Sequence, residues 1–111
     1  MAVYARKIEI IKEEVGLSQR EVADIVGASS RTVARWASGE SLPRGALKER
    51  ILELAAIADM LRKVMTPDAA SAWLFGPNPL LGHRRPLELI RSGEYQRVID
   101  AIDAIAEGVY V

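Results

Sequence analysis

The sequence predicts an all-α protein: an N-terminal helix-turn-helix bundle joined by a long helix to a small C-terminal helical unit. Three observations predict it. Apolar residues recur at three- and four-residue spacing in successive segments, glycines and prolines fall between those segments, and no run alternates as a strand would. With 111 residues, half of them hydrophobic, the chain can build one core or two very small helical units that share one.

Tyr4, Ile8, Ile11 and Val15 line one face of a first helix, which Gly16 can end. Ser18 followed by Glu21 is a capping-box pattern, opening a short helix whose Val22, Ile25 and Val26 point inward. Gly27 closes it. Ser29 offers a hydroxyl cap for a third helix from Ser30 to about Ala37, ended by Ser38-Gly39, and Leu42-Pro43 belongs to a loop. A longer helix then runs from about Gly45 to Met65. Leu47, Ile51, Leu54, Ala58, Leu61 and Met65 make its stripe, and Ile57, Met60 and Val64 widen it, so burial on more than one side and a dimer interface are expected.

Thr66-Pro67 is an N-cap with a first-turn proline, and the helix it opens runs to about Phe75. Gly76 to Pro79 breaks the chain, Leu80-Leu81 makes a single turn, and Pro86 opens a short helix through Arg91 that Gly93 ends. A last helix spans Glu94 to about Ala106, with Tyr95, Val98, Ile99, Ile102, Ile105 and Ala106 on one face. Gly108 ends it before the tail Val109-Tyr110-Val111. The expected division is a helix-turn-helix region with its connecting helix over 1–65 and a second region over 66–111.

Composition narrows the function classes. No cysteine occurs, which excludes disulfides, thiol catalysis and thiolate metal sites. No apolar run nears the roughly 20 residues that span a bilayer, and Met1 to Lys7 lacks a signal-peptide core, so a cytoplasmic protein without membrane contact is expected. The 15 basic and 15 acidic residues balance overall but not locally. Residues 1–66 carry +2 and residues 67–111 carry −2. Arg31, Arg35, Arg44, Lys48 and Arg50 stand against Glu40 and Glu49, a basic patch suited to phosphate, although charge on a helix usually marks only a solvated face.

His83 is the sole histidine and has no patterned carboxylate partners, so it is a surface or turn residue rather than a metal ligand. Asp100 and Asp103 share a solvated helix face, and Met60 and Met65 are core. No glycine-rich phosphate loop and no nucleophile–base pair is present. The reading is of a protein that is not an enzyme, with no catalytic residues, no metal and no cofactor.

The span from Leu17 to Gly39 resembles the Xre/Cro-type repressor motif along its whole length. Ala23 stands at the helix crossing, Gly27 in the turn, Val33 inward and Gly39 after the second helix. Such a pair of short helices places the second in the major groove. The resemblance implies a phosphate contact for Gln19 and base or phosphate contacts for Ser30, Arg31, Thr32 and Arg35. Ser29 and Ser30 set hydroxyl and backbone donors at a helix N-terminus, which favours phosphate, and Arg44 joins the same DNA-binding set from the basic stretch. Trp36 follows Val33 at helical spacing and is assigned to the core.

Further landmarks are Trp73 through Gly82, Arg85 through Gly93, and Val98 through Tyr110. From about residue 66 to the end they resemble the Xre/MbcA/ParS-type antitoxin family, whose C-terminal region binds a toxin of the RES fold. His83 to Pro86 and Gly93 to Val98 look most like the mycobacterial MbcA branch. The chain departs from the family at Arg85, where a Ser or Thr cap is common, and at His83, where glycine is common.

On the residues alone, three apolar terminal residues would fold back on their own core or fray. The resemblance implies instead that Ile105, Glu107, Gly108, Val109, Tyr110 and Val111 contact a toxin that consumes NAD or transfers its ADP-ribose group. In that reading the last helix and tail block the toxin's cleft. The partners implied are a RES-domain toxin, double-stranded operator DNA, a second copy of the chain and a higher hetero-oligomer with the toxin. Two competing readings are an Xre-type repressor whose C-terminal half only dimerises and an interaction module whose helix-turn-helix has lost DNA.

Overall fold

The computed structural model describes residues 3–108. Among the described residues seven α-helices follow one another: α1 (Val3–Val15), α2 (Gln19–Val26), α3 (Ser30–Ser38), α4 (Gly45–Leu61), α5 (Pro67–Phe75), α6 (Pro86–Arg91) and α7 (Tyr95–Ala106). A 3-10 turn, Pro79–Leu81, lies between α5 and α6. Among the described residues there is no strand, only an isolated antiparallel bridge between Asn78 and Arg84. The all-α expectation is met.

Local chemistry sets most helix ends. Ser18 accepts from the Glu21 N–H while the Glu21 carboxylate accepts from the Ser18 N–H, a complete capping box. Ser29 accepts from the Thr32 N–H at 3.1 Å, and Thr66 does the same for Ala69 at 3.3 Å ahead of Pro67. Arg85 sits at the N-cap of α6 without any side-chain cap bond, so the missing Ser or Thr there leaves Pro86 alone to start the helix.

The long helix differs from its expected extent. It ends at Leu61 rather than near Met65, because Thr66 must be extended (ψ 162) to cap α5 and precede Pro67. Val64 and Met65 both donate to the Leu61 carbonyl, tightening the chain into a turn. Val64 is therefore exposed and Met65 half-buried, while Ile51, Leu54, Ile57, Ala58 and Leu61 are buried as expected. In α7, Val98 and Ile102 are buried and Ala106 is exposed. Ala101 takes the inward place there that the expected face gave to Ala106.

One hydrophobic cluster runs through both expected regions, from Ile8 and Ile11 of α1 to Val98 and Ile102 of α7. Contacts cross the expected boundary repeatedly: α1 meets α5, α2 meets α6, and α4 meets both α6 and α7. The Arg91 Nε also donates to the Asp24 carbonyl at 2.8 Å, tying α6 to α2. Asn78, the one buried polar side chain among the described residues, organises the connection before α6. Its side chain accepts from the Leu80 N–H, its carbonyl from Leu81 and His83, and its own N–H donates to Arg84.

Candidate nucleic-acid and partner interfaces

The turn between α2 and α3 depends on Gly27, which is left-handed (φ 84) and bonds back to the Ala23 carbonyl. Val33 and Trp36 of α3 are buried against the cluster, as expected for both. That fixes the roll of α3, so Arg31 and Arg35, four residues apart, stand together on its exposed side. They line a shallow groove with Ala34, Ser38 and Glu40.

Four of the other expected DNA residues, Gln19, Ser29, Ser30 and Thr32, gather at the N-terminal end of the same helix. The Gln19 amide donates to the Ser30 carbonyl at 3.3 Å, linking the starts of α2 and α3. Ser29 and Thr32 share a hydroxyl–hydroxyl bond of 2.9 Å. Ser30 and Thr32 are partly buried, and Ser29 is exposed. Arg44 is the exposed N-cap of α4, with no side-chain cap bond. Arg50 leaves the basic patch: its guanidinium pairs with Glu53 at 3.0 Å and lies against Gly93, where α6 turns into α7.

Two further surfaces matter. On α1 and α4, Ile10, Leu52, Ala55 and Ala56 form an apolar groove with Lys7 and Asp59 at its edges. At the end of α7, Ile105 is half-buried while Glu107 and Gly108 are exposed. The Glu107 N–H donates to Asp103 and Ile105, and Gly108 is left-handed (φ 84), so the helix stops there as expected. Val109, Tyr110 and Val111 lie outside the described residues.

Charge around α6 and the start of α7 is locally compensated. The Ser92 hydroxyl, followed by Arg84 and Arg97, holds the Glu94 carboxyl below its ordinary range, and Arg85 does the same for Glu88. Among the described residues no group of three metal-ligating side chains is found, and no helix is long and apolar enough to cross a membrane.

Residues 54–108 match the family described as the antitoxin Xre/MbcA/ParS C-terminal toxin-binding domain, and residues 8–59 match a helix-turn-helix family. The mycobacterial cidal antitoxin MbcA of Mycobacterium tuberculosis and of Mycobacterium bovis is 54% identical over 109 residues, 98% of this chain and 96% of the relative. The chain belongs to the MbcA antitoxin family. A probable mycobacterial cidal antitoxin of M. tuberculosis is 30% identical over 110 residues, covering 99% of this chain and 94% of its own length. The crystal structure of the M. tuberculosis MbcT–MbcA toxin–antitoxin complex contains a chain that matches with a TM-score of 0.88 and 50% identity over 98% of both. For this MbcA-family antitoxin the two family matches overlap across residues 54–59, inside α4.

Proposed function

We propose that this MbcA-family antitoxin neutralises a RES-domain toxin that consumes NAD or transfers its ADP-ribose group, blocking the toxin's active site with the end of α7 and the tail. The observation that carries the reading is the extent of the match. It runs over 98% of the chain, both to named antitoxins and to a chain from a toxin–antitoxin complex. The exposed Glu107 and left-handed Gly108 suit this role, because the backbone is released from the helix just before Val109, Tyr110 and Val111. Tyr110 has the bulk and the polar tip of an interface anchor.

The helix-turn-helix adds repression of the chain's own operon. Arg31 and Arg35 on the exposed side of α3 favour it, with Gln19, Ser29, Ser30 and Thr32 at the start of that helix and the exposed Arg44 at the N-cap of α4. A homodimer paired through the apolar arc of α4 would serve this role if its two recognition helices stand about 34 Å apart, the spacing of a palindromic site in DNA. Such dimers would carry toxin into a higher hetero-oligomer, acting in the cytoplasm.

Removal of residues 108–111 tests the inhibitory half. With the truncated chain co-expressed beside the toxin, growth should stop and NAD should fall, while binding to the upstream DNA persists. Full neutralisation by the truncated chain would overturn the proposed block.

A further inference from the structure

We infer that Glu40 is a positioning residue for Arg35 in base readout, fixing the guanidinium so that its outer edge can fork onto a guanine. The inference rests on the DNA-binding reading above. Glu40 Oε2 lies 3.5 Å from Arg35 Nε. An exposed pair of this kind is ordinarily weak, since two free side chains must be ordered to make it. Here the backbone does much of that ordering. Gly39 is left-handed (φ 83), and the N–H groups of Gly39, Glu40 and Ser41 all return to the carbonyl of Arg35. The Ser38 hydroxyl donates to that same carbonyl at 3.1 Å. The turn thus holds Glu40 beside the residue whose side chain it touches.

A carboxylate on a face that meets phosphates weakens binding to every sequence alike. One that engages arginine through Nε does something more selective. As an ion pair at 3.5 Å rather than a hydrogen bond, it faces the Nε side of the guanidinium and leaves Nη1 and Nη2, whose spacing matches the O6 and N7 acceptors of guanine. Ala34 and Ser38, the small residues of the same groove, leave room for a base edge. Arg31, one turn earlier, has no ion-pair partner among the described residues and can follow a phosphate. The two arginines are therefore not equivalent: Arg35 ranks sequences and Arg31 adds affinity.

The test uses the full chain, a duplex selected by the wild-type protein from a random pool, and an unselected duplex of equal length. Glu40→Ala should bind the selected duplex about tenfold more weakly, in line with loss of a guided guanine contact. It should bind the unselected duplex more tightly, and the guanine preference should flatten at one position. In Arg35→Ala the further change Glu40→Ala should cost no more selected-duplex affinity, because the contact it guides is already gone. Both side chains are exposed, and an unchanged melting curve will show that each variant is folded. Tighter binding of Glu40→Ala to both duplexes would overturn the inference and leave Glu40 a mere repulsive charge. A wild-type chain that selects no sequence at all would overturn the DNA-binding reading itself.

Discussion

His83 is held at φ 63, directly after Gly82 at φ 64, and is the one left-handed residue other than glycine among those described. Its imidazole is exposed and its N–H donates to the Asn78 carbonyl, so the backbone rather than the side chain dictates the conformation. The family resemblance had marked this site as one where glycine is common, and the geometry gives the reason. A left-handed residue with a Cβ costs about 1–2 kcal/mol. Glycine returns about 0.5–1 kcal/mol of that as extra freedom of the unfolded chain. His83→Gly should therefore stabilise the protein by about 0.5–1 kcal/mol, read as a higher urea midpoint at unchanged slope. A lower midpoint would contradict the left-handed turn. Asn78 shows the opposite case of legibility. The Gly-Pro-Asn-Pro run announced a break, but not that the asparagine would be buried and bonded to four neighbours, because those partners exist only once the turn has closed.

At the scale of elements, caps and breakers were readable wherever the determining contact lies within one turn. Ser18 with Glu21, Ser29, Thr66-Pro67 and Gly27 each act over two to four residues, and each boundary falls where their chemistry puts it. The end of α4 was not readable from its stripe, since Val64 and Met65 continue the helical spacing beyond Leu61. The cap requirement of the next helix won over that apolar pattern. Arg50 is a second miss. It counted as one more cation in a basic stretch, yet it crosses to the α6–α7 turn, where its Nη2 would lie 2.7 Å from a Cβ at Gly93. Gly93 (φ 86) and Gly27 (φ 84) share a backbone conformation, but only Gly93 has a neighbour in the way. Alanine at Gly93 should then cost about 1 kcal/mol more than alanine at Gly27, because it also displaces the partly buried Arg50–Glu53 pair. Equal costs from chemical denaturation would mean that Arg50 swings aside freely.

For the whole molecule, the helical class and the order of elements followed from periodicity, but the division at residue 65 did not foresee how the halves meet. The contacts of α1 with α5 and of α2 with α6, and the Arg91–Asp24 bond, join residues far apart in sequence, which no local pattern reports. A radius of gyration of 13.4 Å is close to the roughly 13 Å of one compact domain of about 100 residues. Residues 1–65 made alone would leave the α5- and α6-facing sides of α1, α2 and α4 open to water. They should give no cooperative thermal transition, whereas the full chain should melt in one step. A sharp, reversible melt of the 1–65 fragment would show that the halves are independent. The outward placement of Arg31 and Arg35 was legible because helix phase alone gives it. The proposed toxin contact of the tail rests on the family resemblance, since a short apolar tail has no periodicity to read.

Inhibition by a blocked active site requires that the chain and NAD compete for one pocket of the toxin. The direct measurement is equilibrium binding of NAD to toxin purified alone, with the full chain, and with the chain lacking residues 108–111. The full chain should abolish NAD binding, and the truncated chain should restore it while still associating with the toxin. NAD bound with unchanged affinity in the full complex would contradict a blocked active site.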